Sequence, residues 1–434
     1  MNFSSKKNKI ILLSHFFLIF AIIILSFTYF FPKTLFFLGN KVEKIFIDRG
    51  WIKKDLNNTD FGQIIDVNLS SKNFQQLQSY FKDLANNKGG EYAFLILKKA
   101  QVQPNIDMHL LGHSIGDILY KQKGLSGITF CDNDFRNACS HSIVIGILND
   151  DGVDALPKIA EACREAPGGS GAYTMCFHGL GHGILAYYGY NFEKAVELCK
   201  KTGSKKFNDR ESSECIGGMV MEIVGGGFHD RDLWTKERLK TLKKEQPLAL
   251  CNSSLIPENA KYFCYVYITP FLFETVGADM GRPSENDFAK AFPLCEKVVG
   301  PNIQSKLTCY GGFGKEFIVL VKDRDIRLAS MREYSDEQLK KIYYLCTLAK
   351  KDYGIEACTL NALGSLYWGG ENDPNVSIRY CSFLSNDKIQ EKCFESLYSS
   401  ANYYSQDSEG FKSNFCGLVP EKYKQRCQTS LRTK

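Results

Sequence analysis

Sixteen cysteines, all beyond residue 130, fall into eight pairs: Cys131/Cys139, Cys163/Cys176, Cys199/Cys215, Cys251/Cys264, Cys295/Cys309, Cys346/Cys358, Cys381/Cys393 and Cys416/Cys427. The members of a pair stand roughly 8 to 16 residues apart, and the second members recur about every 34 to 49 residues, a period that marks a helical-hairpin array. Each unit of such an array is too small to bury its own apolar face and must stack on its neighbours. The chain therefore has to repeat. It also has to fold where thiols oxidise, because disulfides persist outside the cytosol and are rare within it.

The first cysteine of a pair ends an amphipathic segment, as in PKIAEAC163, FEKAVELC199, KIYYLC346 and SIRYC381, with apolar residues at helical spacing. The second opens another helix, as in CFHGLGHGILAYY from Cys176, CIGGMVMEIV from Cys215 and CYGGFGKEFIVL from Cys309. Polar stretches such as KKTGSKKFNDRESSE read as the loops between. Each unit is thus helix A, loop, helix B, and the fold class is all-α: a disulfide-stapled αα-hairpin solenoid or superhelix. Antiparallel helices on a short loop put the end of A beside the start of B, so bridges within the pairs fit. The offset register, Cys139 to Cys163 and onward, also joins neighbouring helix ends but strands Cys131 and Cys427. Using all sixteen favours the first.

From Ile10 to Phe31 the chain carries no formal charge. As a helix this run spans about 33 Å, enough to cross a bilayer. Lys6, Lys7 and Lys9 precede it and favour a cytoplasmic N-terminus, while its length exceeds a cleavable signal. The expected organisation is a cytoplasmic tail at 1–9, a transmembrane signal anchor at 10–31, a helical stalk or cap at 32–90, and the cysteine-stapled repeat domain at 91–434 on the periplasmic or extracellular side. The net charge of +6 is half accounted for by those three lysines, and no basic patch points to nucleic acid.

The stretch NALGSLYWGGENDPNVSIRYC, Asn361 to Cys381, resembles a Sel-type helical repeat, a relative of the tetratricopeptide repeats whose secreted cysteine-rich members carry a bridge within each hairpin. The resemblance covers one unit of about 35 residues. It implies a scaffold with a concave face and says nothing of a reaction.

Five of the seven histidines fall between positions 109 and 182: His109 and His113 in HLLGHSIG, His141 in CSHSIVIG, and His178 and His182 in CFHGLGHG. His109 is separated from His178, and His113 from His182, by the same length of chain, two short repeat periods, with His141 between. Each pair is spaced i, i+4, which puts two imidazoles on one helix face a turn apart, as helical metal sites do. With the cysteines in disulfides, a site here takes nitrogen and carboxylate ligands for a divalent transition metal such as zinc, iron or copper. Cys215 to Glu222 and Cys309 to Glu316 share the pattern C-x-G-G-x-x-x-E, which makes Glu222 and Glu316 candidate ligands or catalytic general bases on the same line of B helices. Packed helices stand about 8 to 10 Å apart, so B helices two repeats apart lie about 20 Å apart in a straight stack, and one ion cannot collect both pairs. Either the repeats coil until the pairs converge, or His141 completes a site with one of them. His229, in GGGFHDRD, is a lesser candidate, and His15 falls within the anchor.

Two functions fit. One is a membrane-anchored extracytoplasmic metal-binding protein, extending to a metalloenzyme. The other is a non-catalytic scaffold whose concave face binds a protein, peptide or envelope polymer, with the histidines as packing residues. Convergence of three or more imidazoles within metal-bonding reach distinguishes the first from the second.

Overall fold

The chain divides into two units, Met1–Ile64 and Ile65–Lys434. The computed structural model describes residues 68–434, apart from 104–105, 132–133, 168, 206–207, 227–229, 280–282, 301–302, 323–333, 370–373, 405–408 and 433–434. The expected tail, anchor and most of the stalk therefore lie outside the described residues, as do His15 and His229. Among the described residues no helix is long and apolar enough to cross a membrane.

Regular structure among the described residues is helical, with two isolated β-bridges. The helices are α1 (Phe74–Lys88), α2 (Gly90–Lys99), α3 (Met108–Lys123), α4 (Ala138–Asp151), α5 (Leu156–Glu165), α6 (Gly169–Tyr187), α7 (Phe192–Lys200), α8 (Arg210–Gly225), α9 (Arg231–Thr241) and α10 (Ala249–Asn252). They continue as α11 (Lys261–Tyr267), α12 (Thr269–Thr275), α13 (Glu285–Ala291), α14 (Ile303–Leu320), α15 (Asp336–Thr347), α16 (Asp352–Gly369), α17 (Pro374–Ser382), α18 (Asp387–Tyr404), α19 (Glu409–Leu418) and α20 (Glu421–Arg432). The amphipathic segment near Asn73 to Leu84 is α1, started by an Asn73 capping box and packed on α2 and α3 within the second unit.

All eight disulfides join the two members of a pair, with Cα–Cα distances from 5.3 to 5.7 Å, and no cysteine is free. One detail departs from the sequence reading. After the first pair, where Cys139 does stand at the start of α4, the second cysteine does not open its helix: α6 begins at Gly169, well before Cys176, and α8 begins at Arg210, more than a turn before Cys215. The short A helix ends beside the second turn of B, so the staple sits inside B, and RESSE, read as loop, is helical.

The A helices bury one stripe, as α5 does with Ile159, Ala162 and Cys163. The B helices are buried on most sides, since each lies between its own A helix and the B helices before and after it. On α8 every residue from Glu211 to Val220 is buried, so the chain shows little amphipathic contrast there. The B helices pack in series, α3 on α4, α4 on α6, α6 on α8, then α11, α14, α16 and α18, and α18 packs back against α6. The array coils, and the straight-stack spacing does not apply.

Close approach at glycine makes this contact dense. A Cβ added at Gly181 would fall 1.9 Å from the Cys215 carbonyl oxygen, and one at Gly218 would fall 1.9 Å from that of His178. The two glycines let α6 and α8 touch backbone to backbone.

Candidate metal centre

Asp107 caps α3 by accepting from the Leu110 amide, and so places His109 and His113 on consecutive turns facing α4. His141 lies in the first turns of α4, 3 % exposed, its ring packed over Gly179 of α6. A Cβ at Gly179 would come within 2.2 Å of that ring, so glycine there is what makes room for His141. Around His141 the other imidazoles form two rows. The His109 and His113 ring centroids are 6.0 and 5.8 Å away, and those of His178 and His182 are 6.2 and 6.1 Å away. All five histidines singled out in the sequence converge.

Hydrogen bonds assign the tautomers. His109 Nδ1 lies 2.6 Å from the Phe135 carbonyl oxygen, which can only accept, so Nδ1 carries the proton and Nε2 presents a lone pair. Ser142 Oγ donates to the His113 carbonyl at 2.9 Å and therefore accepts from His113 Nδ1 at 3.0 Å, which leaves His113 Nε2 unprotonated too. The two Nε2 atoms are 3.2 Å apart. Two lone pairs at that distance repel in the neutral state. Two nitrogens bound to one tetrahedral ion at about 2.1 Å would be about 3.4 Å apart. His141 Nε2 is buried without a hydrogen-bond partner, and the ligand nitrogens of the three rings lie within 4.8 Å of one another. His109, His113 and His141 therefore match the nitrogen donor set of a divalent transition ion, and their Nδ1 partners are the kind that hold metal-ligating histidines in place.

Burial pushes the pKa of His109 down, and those of His141 and His178 well down; nearby imidazoles add to this in each case. Neutral imidazole is the form that binds metal.

The second row is backed by carboxylates. Glu222 Oε2 accepts from His182 Nδ1 at 3.0 Å, while Tyr190 donates to Oε1 at 3.2 Å. Glu222 thus orients His182 from behind. The near match in register after Cys176 and Cys215 becomes direct contact between adjacent B helices. Glu316 is buried on α14, where Lys315 holds it at 2.5 Å, and it is not one of the three groups that meet.

Glu214 was hidden in the segment read as loop. Its Oε2 lies 3.9 Å from His178 Nδ1, and both atoms are buried with no hydrogen-bond partner. Burial pushes the Glu214 pKa up, partly offset by Arg210, which pairs with its other oxygen at 2.7 Å. Recognising RESSE as the first turns of a B helix would have put Glu214 beside Cys215 on that helix and near the histidines. Ser142 and the Phe135 carbonyl were not legible, because their roles depend on a neighbouring helix. Compared with protein-family models, curated proteins and solved structures, the chain matches none of them.

Proposed function

We propose that this protein binds a divalent transition metal through His109, His113 and His141, in a disulfide-stapled helical domain held outside the cytoplasm by an N-terminal anchor at residues 10–31. The observation that carries the reading is the pair of Nε2 atoms facing each other 3.2 Å apart, with the unpartnered, buried Nε2 of His141 beside them. A packing role for these histidines needs none of this, since each ring could bond a loop carbonyl and point its other nitrogen at water. Three imidazole nitrogens leave room at a tetrahedral ion for a further ligand, the arrangement of sites that bind or activate a small molecule. His178 and His182, with Glu214 and Glu222 behind them, form the adjoining wall. The hairpin-by-hairpin bridges accord with the Sel-type resemblance of Asn361–Cys381, and the paired cysteines with an oxidising compartment.

The test uses the full-length protein in detergent, stripped of metal and titrated with Co²⁺ at neutral pH. Saturable uptake is expected, with visible bands of nitrogen-coordinated cobalt that disappear in His109→Ala/His141→Ala. Absence of uptake by a protein whose disulfides and helix content are intact would remove the metal reading. Protease added to intact cells or spheroplasts should digest the repeat domain, and complete protection would reverse the topology.

A further inference from the structure

Phe135, Arg136 and Asn137 have φ of 54°, 54° and 62°, three consecutive non-glycine residues in the left-handed region. Such residues are strained, so the turn persists only where its surroundings over-determine it. Here they do. Phe135 is buried, edge-on to Phe94 at 5.6 Å, its carbonyl accepts from His109, and Asn137 is 1 % exposed.

Arg136 follows the residue whose carbonyl accepts from His109 Nδ1, and its guanidinium is within electrostatic reach of that ring. Its Nε is buried with no hydrogen-bond partner, and no carboxylate among the described residues pairs with it. Guanidinium stays protonated in proteins, and a buried donor on it that lacks a partner is unfavourable. The other cations here are matched: Lys315 by Glu316 and Arg210 by Glu214. The other electrostatic neighbours of Arg136 are Tyr334, Glu316, Tyr267 and Asp107. A planar fork of donors with no carboxylate in direct contact among the described residues is suited to an oxyanion. The nearby carboxylates of Glu316 and Asp107 disfavour a dianion, which leaves a carboxylate ahead of a phosphate.

We propose that Arg136 is the anion-recognition residue of this centre, gripping the carboxylate of a small-molecule ligand that also meets the ion held by His109, His113 and His141. The inference deepens the metal reading and rests on it. The strained turn then serves twice, since one peptide orients a metal-ligating histidine and the next residue supplies the counter-charge for what binds there.

The experiment titrates the full-length, Co²⁺-loaded protein with acetate and, separately, with inorganic phosphate, following the visible spectrum. Acetate should shift the cobalt bands saturably and at lower concentration than phosphate. Arg136→Met should take up Co²⁺ as the unaltered protein does but need about tenfold more acetate or worse, the loss expected for a charge-assisted hydrogen bond. Arg136→Lys, which keeps a cation without the fork, should recover part of that loss. Cobalt uptake without an acetate response, or equal acetate affinity in all three proteins, overturns this inference alone. Tighter binding of phosphate overturns the choice of carboxylate. Failure of all three proteins to take up cobalt overturns the metal reading and this inference with it.

Discussion

Ser142 shows how much of this centre depends on single atoms. Its hydroxyl gives its proton to the His113 carbonyl, so it must receive from His113 Nδ1, and that fixes which nitrogen faces His109. Ser142→Ala should leave the fold intact and weaken metal binding about 10- to 100-fold, the usual effect of losing an orienting partner; competition against a chromophoric chelator would measure it. Unchanged affinity would mean that the ion selects the tautomer unaided. The depressed pKa values of His109, His141 and His178 carry a sign that can be tested in the metal-free protein. Below about pH 6.5 the unfolded chain takes up protons at these rings and the folded chain does not. Stability should therefore be full above that pH and fall as the pH drops toward the lower folded-state values. Denaturant midpoints across that range read it, and replacing His141 and His178 by Gln should flatten the slope. Metal binding should likewise persist somewhat below the ordinary imidazole range.

At the scale of elements, the staples and the glycine contacts act differently. Each disulfide closes a short loop at the end of an A helix, so its contribution comes mainly through the unfolded chain. Replacing Cys346 and Cys358 by Ser should cost about 2 to 4 kcal/mol of stability, seen as a lower urea midpoint. Gly181 acts chiefly in the folded state, where the clash outweighs the gain from a stiffer unfolded chain. Its α-carbon faces the Cys215 carbonyl so closely that even a methyl group must drive α6 from α8. Gly181→Ala should cost about 3 kcal/mol, the upper range for overpacking, and displace His178 and His182 with it. Chemical denaturation measures the first effect, and the cobalt titration shows whether the second row bears on the metal. The same glycines, visible in CFHGLGHG and CIGGMVMEIV, read from sequence as permitting close packing, but which partner each one met was not legible. That depends on the crossing of two helices whose contact atoms belong to different hairpins.

For the whole repeat unit, the packing of α18 against α6 ties the seventh hairpin to the second. A chain ending before Pro374 should therefore show faster amide exchange in α6, near the metal centre and far along the sequence from the cut. An open array would leave α6 unchanged. The hairpin repeat and the i, i+4 histidine pairs were determined by the sequence, because each rests on spacing within or between adjacent helices; for the sixteen cysteines spacing only favoured the within-hairpin register, and the tertiary structure chose it over the offset one. What only the tertiary structure decided is which histidines meet. His109 and His178 sit two repeat periods apart at equivalent positions, and spacing alone puts them on separate turns of a stack. The curl of the array, set by backbone contact at Gly181 and Gly218 and by the room that Gly179 leaves for the His141 ring, brings both rows to His141. The proton positions that turn five imidazoles into a donor set were decided there too, since they are dictated by the Phe135 carbonyl and the Ser142 hydroxyl, groups that reach the rings only across a helix interface.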